Sequence, residues 1–159
     1  MKKSQIYILL IYSILSSCSN EKIPQGIVSI PKGIWLQNKP LTMELSIPEE
    51  LSGKKLDFLY QIAYSEKFDW ENIWLRYILT GPDGDTIHTS TDNLFLFEPG
   101  NGKPIGQGPH ERMYLDAYFL KDFPIKSSGT YKIKVYQQLR ADKLNGILSL
   151  KVRAVESGK

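Results

Sequence analysis

The chain has a single cysteine, Cys18, in 159 residues, and only two histidines, His88 and His110. One thiol closes no disulfide within the chain and builds no thiolate zinc site. The core must therefore hold by packing, which a chain of this length can manage. Charge of either sign is in small excess: 20 basic against 17 acidic residues, +3 overall. That balance argues against nucleic acid, which requires a basic stripe. Long apolar runs are also missing. The longest covers residues 6–15, short of the roughly 20 that a spanning helix needs. No HExxH, CxxC or GxSxG motif is present.

What is present begins at the N-terminus. Lys2 and Lys3 precede the apolar run, which ends in Leu15-Ser16-Ser17-Cys18. A basic start, a short apolar stretch and small residues before a cut are the parts of a secretory signal peptide. Leu-Ser-Ser-Cys resembles the bacterial lipobox, which implies cleavage before Cys18 and a diacylglyceryl group on its thiol. Residues 1–17 then form the signal peptide. Their loss leaves 142 residues (159 − 17) and, with Lys2 and Lys3 gone, a charge of +1. Residues 18–32, polar and then broken by Pro24, Gly26 and Pro31, read as a flexible tether.

Period-2 alternation dominates the rest. Leu41, Met43, Leu45 and Ile47 share one face. So do Leu56, Phe58, Tyr60, Ile62 and Tyr64, and then Ile73, Leu75, Tyr77 and Leu79, with Trp74 and Arg76 opposite. Tyr131, Ile133, Val135 and Leu139 follow, then Leu148, Leu150, Val152 and Ala154. Shorter runs lie at 86–90, 93–97 and 113–119. Turn chemistry separates them: Gly81-Pro82-Asp83-Gly84-Asp85 should close a hairpin. This spacing predicts one antiparallel β-sandwich, immunoglobulin-like or jelly-roll-like, of about seven or eight strands over residues 33–155. Residues 156–159 remain as a tail. Gly129-Thr130-Tyr131 opening a strand matches sandwich folds in which an early tyrosine pins a corner.

The search for chemistry returns little. His88 and His110 sit in separate segments with no ligand spacing around them, and read as lone surface histidines. Glu49/Glu50 and Asp83/Asp85 fall in turns. The stretch 100–109, with Gly100, Gly102, Gly106 and Gly108, lacks the strand and helix that a phosphate loop requires. Pro104 and Pro109 interrupt it, so it reads as a turn-rich connection. No catalytic residue, metal ligand, cofactor or small-molecule substrate is expected. The aromatics Trp74, Tyr114, Tyr118 and Tyr136 fall on faces assigned outward. Such rings stack on sugars, bury against a protein partner or fill space under loops.

The order of these features resembles the GldH family of gliding-motility lipoproteins of the Bacteroidetes. The resemblance is carried by the lipobox cysteine, Trp35, Tyr60 and Tyr64, and Asn72-Ile73-Trp74-Leu75. It continues through Pro82-Asp83-Gly84, Gly102-Lys103-x-x-Gly106-x-Gly108, Phe123, Gly129-x-Tyr131, Gln138-Leu139-Arg140 and Leu144-x-Gly146-Ile147. It implies a non-catalytic accessory lipoprotein of the gliding and secretion machinery. Such a protein is lipid-anchored at Cys18 and binds other envelope proteins. The residue after the cysteine is Ser19, not the aspartate of inner-membrane retention, which favours the outer membrane. No acidic cluster follows, which favours its periplasmic leaflet. The candidate partner-binding residues are Trp74, Gly102, Lys103, Gly106, Gly108, Tyr136, Gln138 and Arg140. Arg140 is expected either to meet a partner carboxylate or, by preference, to close an internal salt bridge. The competing reading is a carbohydrate-binding lipoprotein with Trp74 and neighbouring tyrosines as a stacking face.

Overall fold

The computed structural model describes residues 23–158. Cys18 and the signal segment lie outside them. The described chain is all-β and antiparallel, arranged as two four-stranded sheets packed face to face with a small third sheet at one end. The first sheet has the order β1 (Gln25–Ser29), β10 (Ile147–Glu156), β4 (Lys55–Tyr64), β7 (Met113–Pro124). The second runs β3 (Leu41–Ile47), β8 (Gly129–Gln137), β5 (Asn72–Thr80), β6 (Thr86–Phe95). Short strands β2 (Ile34–Leu36) and β9 (Lys143–Asn145) pair with each other.

The alternation explains the layers. In β3 every second residue from Leu41 to Ile47 is buried and the others are exposed. In β5 Ile73, Leu75, Tyr77 and Leu79 are buried. They face Leu56, Phe58, Tyr60, Ile62 and Tyr64 of β4 across a single core. Side chains of period 2 can bury only one face per strand, so two such sheets close on each other.

Three differences from the sequence reading have physical causes. The described residues form ten strands, because β2 and β9 have three residues each and carry no periodic signal. The runs 86–90 and 93–97 are one strand, β6, interrupted in hydropathy by Thr91 and Asp92 but not in pairing. The tether expected over 18–32 gives way to structure: residues 25–29 form β1, an edge strand on β10, with Gln25 opposite Arg153 and Ser29 opposite Ser149. Being at an edge, β1 buries little of itself, which is why its composition reads as linker.

The expected corner is present. Tyr131 Oη donates to the carbonyl of Ser127, 2.8 Å away, and fixes the chain as it enters β8. Tyr131→Phe should cost about 1–2 kcal/mol, since the hydroxyl goes and the carbonyl loses its donor. A denaturant midpoint that falls with unchanged m-value would register it.

The two ends of the sandwich differ. One end gathers the turns at 48–54, 81–85 and 125–128, the close of β10 and the start of β1; Ala154 N donates to the Pro24 carbonyl there. The opposite end carries the connections 65–71, 96–112 and 138–146, together with the β2–β9 pair. Trp35 is buried at that end, its Nε1 donating to the Lys39 carbonyl at 2.8 Å.

Candidate functional site

At the end remote from the N-terminus, β5 and β8 run out side by side. Gln138 N donates to the carbonyl of Trp74 at 2.8 Å, the last rung between them. Beyond that rung the chain turns at Leu139 and Arg140. Gln137, itself buried, holds the turn: its side chain accepts from Leu139 N and donates to the Ala141 carbonyl. The result is a shallow groove of about 600 Å³ lined by Trp70, Trp74, Thr91, Gln138, Leu139 and Arg140. Both indoles are close to half exposed, Trp70 at 45% and Trp74 at 43%. Three sequence-predicted residues, Trp74, Gln138 and Arg140, thus meet in one place. Trp70 joins them without having been singled out, because it lies in a loop where no strand periodicity marks a face.

Arg140 forms no ion pair among the described residues. The internal salt bridge preferred from the sequence is not there; the residue sits on the exposed turn after β8, away from the paired carboxylates. Tyr136 is half-buried on the outer face of the second sheet, beside Arg76, whose guanidinium lies 5.7 Å over its ring.

The glycine-rich stretch lies away from the groove. It carries the chain from β6 in one sheet to β7 in the other. Phe97 bridges to Pro104 and Gln107 to Tyr114 on the way. Tyr64 pins its centre: the buried hydroxyl donates to the Leu96 carbonyl at 2.7 Å and accepts from Gly106 N at 2.8 Å. A Cβ on Gly106 would stand 2.7 Å from Tyr64 Oη and 2.8 Å from the Tyr114 carbonyl oxygen, so this position needs glycine for close approach. Gly108 is similarly crowded by the Arg112 carbonyl. Gly102 and Lys103 are exposed, in a turn closed by Glu98 N donating to the Lys103 carbonyl. None of these four lines the groove.

The aromatic residues do not make one platform. Trp74 and Tyr136 lie on the outer face of the second sheet. Tyr114 and Tyr118 lie on the outer face of the first, opposite Ala63 and Leu59. Lys121 Nζ stands 4.7 Å over the Tyr118 ring.

A polar cluster that the sequence reading missed lies between the open edges of β6 and β7. His88 is half-buried rather than a surface residue. Its ring stacks on Tyr77 with centroids 5.6 Å apart, and Nδ1 lies 2.9 Å from Tyr77 Oη. Phe119 packs on Tyr60 at 4.0 Å, and Phe123 closes against His88. Asp92 points inward beside them. Burial pushes its carboxyl pKa up, against a smaller opposing pull from His88. Burial likewise raises both Tyr60 and Tyr77, with Asp92 adding to each. Asp92 Oδ2 and Tyr60 Oη have no hydrogen-bond partner among the described residues. Pairing with β5 sets the phase of β6: His88, Ser90 and Asp92 oppose Leu79, Tyr77 and Leu75 and therefore face in. Inward polar groups on an edge strand oppose pairing with another chain.

Because the folded-state pKa of Asp92 is raised, the protein favours its neutral form. Stability from this group is full below the unfolded value of about 3.8 and is lost as pH rises through the folded value. Asp92→Asn should therefore stabilise at pH 7 by a fraction of a kcal/mol, since the site is partly open to solvent. The gain should vanish near pH 3. Melting temperatures across that range would show it; an equal gain at both pH values would remove the titration argument.

His110, by contrast, is exposed, 4.0 Å from Glu66. Glu49/Glu50 and Asp83/Asp85 are on exposed turns. Among the described residues no group of three or more His, Cys, Asp or Glu is arranged to hold a metal.

Comparison with known proteins gives one family. The profile described as GldH lipoprotein matches residues 23–153. No curated protein matches the chain in sequence. Solved structures share only a distant likeness. The VP2 subviral particle of infectious bursal disease virus is 11% identical, with 87% of this chain covered and a TM-score of 0.38; the chain spans about a third (34%) of it. TmCBM61, solved with β-1,4-galactotriose, is 12% identical at 81% coverage of both chains and a TM-score of 0.32. Dimeric latent PorU from Porphyromonas gingivalis is 10% identical, covering 85% of this chain and 13% of its own, with a TM-score of 0.31. At these scores they carry no argument about function.

Proposed function

Because the chain belongs to the GldH lipoprotein family, we propose that it is a non-catalytic accessory component of the gliding-motility and associated secretion machinery, anchored by lipid on Cys18. The family match over residues 23–153 carries this reading. Membership makes the protein a membrane-anchored envelope lipoprotein. The finer placement, on the periplasmic leaflet of the outer membrane, rests on Ser19 after the cysteine and on the lack of an acidic cluster behind it.

The working part of the protein, in this reading, is the groove at Trp74, Gln138 and Arg140, which binds another envelope protein. Geometry supports that choice. Ile23 follows Cys18 by five chain steps (23 − 18), so the lipid lies at most about 18 Å from the start of the domain. The start of β1 is at the opposite end of the sandwich from the groove. A ten-residue strand such as β10 spans roughly 30 Å. The groove therefore faces away from the anchoring membrane, towards whatever stands in the envelope space. The split of the aromatic rings over two faces leaves the carbohydrate reading with less surface than the sequence allotted to it.

The test is deletion in the native host, complemented with wild type or Cys18→Ala, scored for colony spreading and for the secreted-protein profile. Loss of spreading restored only by wild type is the expected result. Normal spreading and normal secretion in the deletion strain would end this reading.

A further inference from the structure

The outer face of the second sheet has a charge pattern that the groove alone does not explain. Successive outward positions along β8 are Lys132, Lys134 and Tyr136, followed by Gln138 and then Arg140 on the turn. Register places Arg76 of β5 beside Tyr136, and Trp74 next to Gln138 across the last rung. Cations thus occur at three consecutive levels, Lys132, Lys134 and Arg76, and again at Arg140. The outward residues of β3 supply one acid, Glu44, which pairs with Lys132 at 3.5 Å. Those of β6 facing Arg76 and Ile78, Thr91 and Thr89, are neutral. Arg76, Lys134 and Arg140 have no ion-pair partner among the described residues.

Levels along a strand repeat every two residues, about 6.6–6.8 Å. An extended peptide presents the side chains of one face at the same interval. Resting on the reading that the groove docks a partner, we infer that this face binds an extended, acidic segment of a partner envelope protein. Carboxylates two residues apart meet Lys134 and Arg76, an apolar side chain two residues further on enters between Trp70 and Trp74, and a carboxylate two residues beyond it meets Arg140. Charge complementarity selects the sign of the partner and the two-residue ladder selects its conformation. The ladder climbs from the anchored end of the sandwich to the groove. A membrane at the anchored end meets the turns there, not this face. An anionic polysaccharide shares the sign but not the spacing.

The experiment uses the lipidated protein in a neutral detergent at low salt, followed by fluorescence of the exposed Trp70 and Trp74. The probes are a peptide of about twelve residues that alternates Glu and Thr and carries one Leu in place of a Glu, the same composition with all Glu in one block, polygalacturonate, and vesicles of anionic phospholipid. The expected result is saturable binding of the alternating peptide, about tenfold tighter than the blocked one and weakened by salt. Lys134→Glu with Arg140→Glu, both exposed, should leave the melting temperature unchanged. The pair should weaken the alternating peptide by about tenfold or more and fail to restore spreading in the deletion strain.

The inference is overturned by equal affinity for the two peptides, by no binding, by tighter binding of polygalacturonate or vesicles, or by full spreading with the double variant. Failure of the gliding reading looks different: the deletion strain then spreads normally, and the peptide titration still decides the chemistry of the face.

Discussion

Gly146→Ala should cost about 3 kcal/mol or more, a large part of the roughly 5–15 kcal/mol that holds a native domain. Two penalties coincide at this position. Its φ is +79°, a backbone conformation that a residue with a Cβ adopts at a cost of roughly 1–3 kcal/mol. Its Cβ would also lie 2.4 Å from Phe68 N and 2.7 Å from the Lys67 carbonyl carbon. Those are backbone atoms with no rotamer to yield, and crowding of this kind adds about 1–3 kcal/mol more. The contact matters because it seats the connection from β4 to β5. Ser65 N donates to the Gly146 carbonyl at 2.9 Å, and Phe68 is buried just beyond. Trp70 follows two residues later. A variant that folds by pushing this connection outwards should therefore also lose the groove. Chemical denaturation reads the stability, and fluorescence of Trp70 reads the displacement. A loss below about 1 kcal/mol, within the range of ordinary single substitutions, would mean that the loop is not seated as described.

The same position shows where sequence stops being informative. Alternation marks a face only where a strand is long enough to repeat it. β3, β5 and β8 meet that condition, and their buried sets are those that the residues announce: Leu41 to Ile47, Ile73 to Leu79, Tyr131 to Val135. The corner at Tyr131 was legible too, because it depends on a local hydrogen bond four residues back. The partners of Gly146 and Gly106 were not. Each glycine is fixed by a segment far away in sequence, Lys67-Phe68 in one case and Tyr64 in the other. The 102–108 stretch crosses from one sheet to the other, and its seat on Tyr64 could not be read from its own residues.

Polar residues on inward faces set a second limit. In β6 the pattern His88, Ser90, Asp92 carries no apolar mark, so the strand read as two fragments and its phase was invisible. Pairing with β5 restores it and turns His88 towards Tyr77. Arg140 illustrates a third limit. A strand-end cation is equally suited to an internal or an external acid, and only the placement of the carboxylates decides. Glu44, Asp116 and Glu156 each pair with another cation, and Glu66 lies beside His110. Trp74, Gln138 and Arg140 came together because strands β5 and β8 are neighbours, a fact of topology that no single segment encodes.

Cys18→Ala should move the protein from the membrane fraction to the soluble fraction with no change in the melting temperature of the domain. The second half follows from where folding begins. Among the described residues the first strand-paired one is Gln25, and the buried core begins at Ile30. The first half follows from the anchor. Each buried methylene contributes about 0.8 kcal/mol, and one acyl chain alone holds a protein only marginally, whereas two or more hold it durably. None of the described helices is long and apolar enough to cross a membrane. Removing the thiol therefore removes several kcal/mol of attachment at once. Cleavage at this position also depends on the cysteine in the lipobox reading, so an uncut chain keeps residues 6–15 as a weak apolar tail. A version with residues 19–159 behind an ordinary cleavable signal peptide separates the two effects: it should be soluble, folded and unable to support spreading. Persistent membrane association of that version, resistant to salt and released only by detergent, would show that Cys18 is not the anchor.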